Sequence, residues 1–270
     1  MNKLSRRQLN EKNFHDRWAK SIFEKDLFYK ESFESPTAIE NQFILSKIGS
    51  LKGKFILDLG CGIGDASIYF AKKGAFVKAV DISPQMIALV KKFSSRVNVA
   101  NKIDALVMAA ENLSFKSSEF DVVYGNGVLH HVNLIKSSRE IKRVLKKGGL
   151  GFFIEPLSYN PVIEFYRKIA KRVRTKDEKP LTLKDIKWFC NLFPVSSHYE
   201  FHFLTLVIFI WFFIGKRISP NQERYWKKIL KEGNKYQKVF NLLNKLDYVL
   251  LKYLPFLRRF CWITVIAVQK

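Results

Sequence analysis

Between residues 54 and 155, short apolar runs alternate with longer amphipathic stretches. The runs at 54–59, 76–81, 104–108, 120–126 and 150–155 have strand length and are rich in Val, Ile, Leu and Phe. The stretches at 65–73, from Ser83 to Phe93 and from Ser137 to Leu145 carry apolar residues at helical spacing. Ser83-Pro84 reads as a helix start, and Lys146-Lys147-Gly148-Gly149 as a helix end with cations on the dipole and glycine as cap. Strands alternating with helices predict an α/β fold: a doubly wound, mostly parallel sheet covered on both faces.

The flanks have other patterns. Phe14, Trp18, Ile22 and Phe23 form one apolar stripe, predicting a helix over 9–25. Ser35 as N-cap and Pro36 in the first turn predict a second, with Ala38, Phe43, Ile44 and Ile48 inward. After Glu155, prolines at 156, 161, 180 and 194 punctuate the chain. Helices are expected over 161–173 and 182–192, around a basic segment at 172–179, and strands over 195–203 and 260–268, which would bring the sheet to seven. The run at 203–215 is the most apolar of all, yet shorter than the ~20 residues a membrane-spanning helix needs. It is open to three readings: buried core, a segment dipping into a membrane face, or the wall of a lipid-like substrate's pocket. A basic helical stretch (221–245) and an apolar one (249–257) follow. The pattern divides the chain into an N-terminal helical cap (1–50), a Rossmann-like core (51–156) and a C-terminal region (157–270) with a helical insertion before the last strand.

The chemistry concentrates where the first strand meets the first helix of the core. Asp58-Leu59-Gly60-Cys61-Gly62-Ile63-Gly64 is a strand end followed by a glycine at every second position. Such a turn lets main chain press against a ligand, and the helix start behind it offers free N–H groups. A dinucleotide fingerprint would put its third glycine at position 65, where this chain has Asp65, which argues against a nicotinamide oxidoreductase. A second acid, Asp81, closes the next strand, 23 residues after Asp58.

Net charge is +23, of which +14 lies in residues 161–270. That excess suits anionic lipid, nucleic acid or an acidic substrate, and equally a solvated lysine-rich surface. Cys61, Cys190 and Cys261 have no metal-ligand spacing, so no metal is expected, and three cysteines fit a reducing compartment. The basic N-terminus leads into no apolar signal core, and a cytoplasmic protein, free or peripheral to a membrane, is the expectation.

The D-x-G-x-G-x-G turn with Asp81 resembles the S-adenosylmethionine (SAM) loop of class I methyltransferases. From there to the fifth strand, residues 52–156 are similar to the type 11, ubiquinone-methyltransferase-like group. The flanking Phe14-His15-Asp16-Arg17-Trp18-Ala19, Glu155-Pro156 and Asn160-Pro161 are also familiar from a bacterial and archaeal subgroup. The resemblance implies that Asp58, Gly60, Cys61, Gly62 and Gly64 hold the methionine end of SAM and Asp81 the ribose. It places Ile82 and Met86 beside the adenine, Ala110 and Glu111 at its polar edge, and Asn126 near the sulfonium. The family often has an acid where this chain has Ala109, so a contact to the adenine amino group is in question.

SAM-dependent transfer needs alignment of nucleophile, methyl and sulfur, plus a base if the acceptor is a hydroxyl. His130 is the candidate catalytic residue, with His131, His15 and Glu155 nearby; an anchoring role for His130 is the competing reading. Tyr159, Asn160 and Arg167 could shape an acceptor pocket. Strand four lacks the Asn/Asp-Pro-Pro-Tyr ending that marks amino-methylating enzymes of DNA and protein, and no cysteine stands where a pyrimidine C5 enzyme needs a nucleophile. The expected acceptor is a small or lipid-like molecule methylated at oxygen or carbon, at a membrane surface or away from one. An RNA methyltransferase using the basic surface is the alternative, and a SAM-binding protein without turnover a third.

Overall fold

The computed structural model describes residues 4–170, 178–221 and 223–270. The core strands are β1 (Phe55–Leu59), β2 (Phe76–Asp81), β3 (Ile103–Val107), β4 (Phe120–Asn126) and β5 (Leu145–Pro156). Two more come from the C-terminal third: β6 (Val195–Phe201) and β7 (Ile263–Gln269). They form one seven-stranded sheet in the order β3-β2-β1-β4-β5-β7-β6. All neighbours are parallel except β7, which runs antiparallel to both β5 and β6. The order reverses between β1 and β4, and a doubly wound sheet binds its ligand in the crevice at such a point.

Helices α4 (Asp65–Lys72) and α5 (Pro84–Arg96) follow β1 and β2. The side chain of Ser83 caps α5 by accepting from Met86 N–H, as its sequence predicts. Ile56, Leu57, Leu59, Val77, Ala79 and Val123 are buried within the sheet, between apolar clusters on its two faces.

Several helix boundaries depart from the sequence pattern, some through local caps and some through distant partners. The first helix, α1, runs Arg6–Ala19 rather than 9–25, because Ser5 and Gln8 form a capping box upstream. Ser35-Pro36 starts no helix. A four-residue α2 (Glu31–Glu34) precedes it, and α3 (Ile39–Ile48) begins after Ala38. Thr37 instead donates its hydroxyl to the Ile229 carbonyl of the distant α10 (Tyr225–Lys231). The sixth helix, α6 (Leu134–Val144), starts at an Asn133 cap, three residues early. Leu145 already pairs with Phe120 and Leu150 with Val122, so Lys146–Gly149 is a bulge in β5 and not a helix end.

Beyond β5 come α7 (Pro161–Ile169), α8 (Leu183–Cys190), a single turn α9 (Val207–Ile210) continued by a π-turn at Trp211–Gly215, then α10 and the long α11 (Gly233–Tyr253). The expected stretch 221–245 is therefore two helices. They part at Gly233, where a Cβ would lie 2.0 Å from Ser35 Oγ. The end of the helix expected over 161–173 and most of the basic segment 172–179 lie outside the described residues.

Candidate functional site

The three glycines after β1 do different things. A Cβ on Gly60 would lie 2.7 Å from Val128 Cγ2, so this glycine lets the loop close against the β4 turn. Gly62 has φ +51° and nothing within 4 Å of where a Cβ would stand, leaving main chain open to the cavity. Gly64 stands at the start of α4, where a Cβ would press 3.1 Å from Val90. It therefore packs α4 on α5 and does not reach the cavity.

Asp58 and Asp81 end up as neighbours because β1 and β2 are parallel and adjacent. Both line a cavity of about 500 Å³ at the reversal point of the sheet, within the range of small-molecule sites. Burial pushes the Asp58 carboxyl up to about 7, although Ser67 donates its hydroxyl to Oδ2 at 2.6 Å. Asp81 is also raised by burial; its oxygens accept Gly62 N–H at 3.0 Å and Ser83 N–H at 2.9 Å. That grip couples the second acid to the glycine turn. An open Gly62 backbone and two buried acids favour a ligand with hydroxyls and positive charge, the groups SAM offers through its ribose and its amino and sulfonium centres.

Ile82, Ala110, Cys61 and Asn126 line the same cavity, and burial holds the Cys61 thiol protonated by raising its pKa. Met86 does not: it is fully buried in the core cluster behind α5, so the adenine contact expected of it has no basis in the placement. Glu111 lines the cavity, but its carboxylate accepts Gln8 Nε2–H at 3.0 Å and Asn133 N–H at 2.9 Å. It ties α1 to the cap of α6. Likewise Asp16 of α1 accepts the Ser83 hydroxyl at 2.5 Å, so the N-terminal helix is anchored at two points around the mouth.

On the opposite wall Glu155 organises the turn after β4. Oε1 accepts the N–H groups of Val128 (3.0 Å) and Leu129 (2.7 Å), and Oε2 lies 2.6 Å from His130 Nδ1. His130 Nε2 is 3.3 Å from Glu178. Burial opposes charge on this ring, but the two carboxylates outweigh it and push its pKa up to about 9. The two carboxylates favour the charged form of the ring, which fits the anchoring reading of His130 better than a base. His131 differs: burial and the charge on His130 lower its pKa, so it is neutral, with Nδ1 3.1 Å from Glu11 Oε1. His130, His131 and Glu178 bring ligand-type atoms within 4.8 Å of one another.

Of the other expected pocket residues, Arg167 lines the cavity. Asn160 caps α7 by accepting Val162 and Ile163 N–H, and Tyr159 accepts Leu183 N–H. Neither reaches the cavity. The far end is walled by Leu206 and Phe209, from the run for which a pocket wall was one of three readings, and by Phe240, Trp262 and the Arg224 guanidinium stacked 4.0 Å over Trp18, which sequence reasoning missed. These residues are more than 140 positions from the glycine turn, and no local spacing announces them. The run 203–215 is thus split: Leu206 and Phe209 face the cavity, Ile208 and Phe212 are core, and Val207, Ile210, Trp211, Phe213 and Ile214 are exposed.

A family model described as a methyltransferase domain matches residues 57–153. An uncharacterised protein of Methanocaldococcus jannaschii, MJ0638, is 32% identical over 89% of this chain and 96% of its own length. The sterol 24-C-methyltransferase ERG6 of Saccharomyces cerevisiae is 29% identical over 59% of this chain, an alignment that spans only 43% of that enzyme. Among solved structures, phosphoethanolamine N-methyltransferase 2 of Haemonchus contortus in complex with SAM covers all of this chain and 60% of its own, with 20% identity and a TM-score of 0.61. That likeness concerns the fold.

Proposed function

The chain belongs to the class I, type 11 family of SAM-dependent methyltransferases, and from that premise we propose that it methylates a small, lipid-like acceptor at oxygen or carbon. The observation that carries this reading is one cavity that is acidic and main-chain-lined at the β1–β2 end and apolar at the other. The sterol-methylating relative fits the same class of acceptor.

Asp58, Gly60, Cys61, Gly62, Asp81, Ile82, Ala110 and Asn126 would hold the cofactor. When bound, SAM supplies an electrophilic methyl on a cationic sulfur, and in-line transfer neutralises that charge. The protein's part is alignment and exclusion of water, to which the apolar walls at the far end contribute. For a hydroxyl acceptor, neutral His131 is the ring able to take the proton, while His130, fixed as a cation by Glu155, holds the turn that carries it. A carbon acceptor would lose its proton to the same ring.

The test is to incubate the protein with cell extract and methyl-labelled SAM and follow the label. Label in the organic-soluble fraction supports the reading. Label in RNA would replace it with the nucleic-acid alternative, and no transfer at all would leave only a SAM-binding role.

A further inference from the structure

Helix α11 has two apolar sides. Phe240, Asp247 and Leu251 are buried against the domain. Val239, Leu242, Leu246, Val249 and Tyr253 recur at steps of three, four, three and four on another side, and each is between 45% and 73% exposed. This is the spacing of a continuous stripe, and at about 1.5 Å per residue it runs roughly 20 Å along the surface. Lys238, Lys245 and Lys252 form an exposed parallel lane beside it, also at seven-residue intervals. The sole acid within α11 is Asp247, and it is buried, accepting the N–H groups of Phe203 and Leu204.

That contact and the ring contact of Phe212 with Tyr236, 5.4 Å between centroids, lay the 203–215 segment antiparallel along α11. Its exposed Val207, Ile210, Trp211 and Ile214 extend the apolar surface, while Leu206 and Phe209 of the same segment wall the cavity. More than half of the exposed large apolar side chains among the described residues fall between 207 and 256. No helix among those residues is long and apolar enough to cross a membrane.

We propose that this face lies on an anionic lipid surface, with the stripe in the headgroup–acyl boundary and the lysine lane on the headgroups. A second copy of the chain is the weaker occupant, because it offers those lysines no exposed acid from its own α11. The proposal deepens the lipid-acceptor reading: the segment that roofs the cavity would be the one in contact with the bilayer.

The experiment is flotation of the purified protein with vesicles of phosphatidylcholine alone or with 30% phosphatidylglycerol. Binding is expected with the anionic vesicles, weakening by roughly fivefold for each of Lys238, Lys245 and Lys252 changed to Gln. Leu242→Glu with Val249→Glu is expected to abolish it; these positions are exposed, and an unchanged thermal midpoint would show that the variant still folds. The proposal falls if the wild type stays unbound with anionic vesicles, or if it is a dimer that the double variant converts to monomer while vesicles bind neither. Flotation reads the surface independently of methyl transfer. No flotation with label still entering lipid removes the surface and keeps the acceptor; flotation with label in polar products supports the surface and removes the acceptor.

Discussion

At its β1–β2 end the cavity is walled by main chain, by Gly62 and by two carboxylates held on adjacent strands. At its far end it is walled by Leu206, Phe209, Phe240 and Trp262, contributed by four separate elements or turns. The first end is built from a stretch of under thirty residues whose geometry follows from one strand–turn–helix unit and the next strand. The second exists only after the C-terminal third folds back over the sheet. One end is suited to a fixed, common cofactor; the other can vary in shape without disturbing it.

The largest test of that division strikes the cofactor end. Gly62→Arg puts a side chain into space that is empty to 4 Å, and calorimetric titration should find no SAM binding. Asp81→Ala removes a buried charged acceptor, a loss of about 1.5–3 kcal/mol, or on the order of 10- to 150-fold in affinity. Full retention of binding by either variant would end the cofactor assignment.

The turn between the two ends comes next. Glu155→Gln leaves the buried His130 cation with one carboxylate instead of two and should cost about 3–5 kcal/mol in urea unfolding. His130 also sets a pH signature. Its folded pKa, about 9, lies above the ordinary value near 6.5. The stability from its pairing is therefore complete below about pH 6.5 and is lost as pH rises through 9, a fall of about 3 kcal/mol. In His130→Phe that slope should vanish; an unchanged slope would mean the ring is not the group titrating.

A milder change separates the ends directly. Phe209→Ala enlarges the roof, so the KM for the acceptor should rise while the SAM dissociation constant stays within about twofold, since distant sites act independently. If SAM affinity fell as far as acceptor affinity, the two ends would not be separable. Smallest of all, Ser67→Ala removes the hydroxyl at 2.6 Å from Asp58, a net bond of about 1 kcal/mol. The carboxyl should then titrate still higher, which carbon-labelled NMR of Asp58 can follow.

Local residues were enough for the alternation of strands and helices in the core, the glycine turn and the placing of Asp58 and Asp81 at strand ends, because each depends on contacts within one strand–helix–strand unit and on the handedness of its crossover. They misplaced what depends on a distant partner. Ser35-Pro36 has every local mark of a helix start, yet Thr37 is bound to Ile229. Met86 and Gly64 sit in the right motif but point into helix packing. His130 has the composition of a base, and only its position between Glu155 and Glu178, one 25 and the other 48 residues away, makes it a cation.

By itself, then, the order of amino acids determined that the chain folds as a doubly wound sheet and which glycine turn and pair of acids come to line its cavity, since hydrophobic period and backbone freedom are properties of neighbours along the chain. Tertiary structure decided which histidine carries a proton, which half of the 203–215 run faces inward, and that α11 presents a second apolar side. Each of these is set by burial and by the charges that burial brings close, and neither is defined until segments far apart in the chain have met.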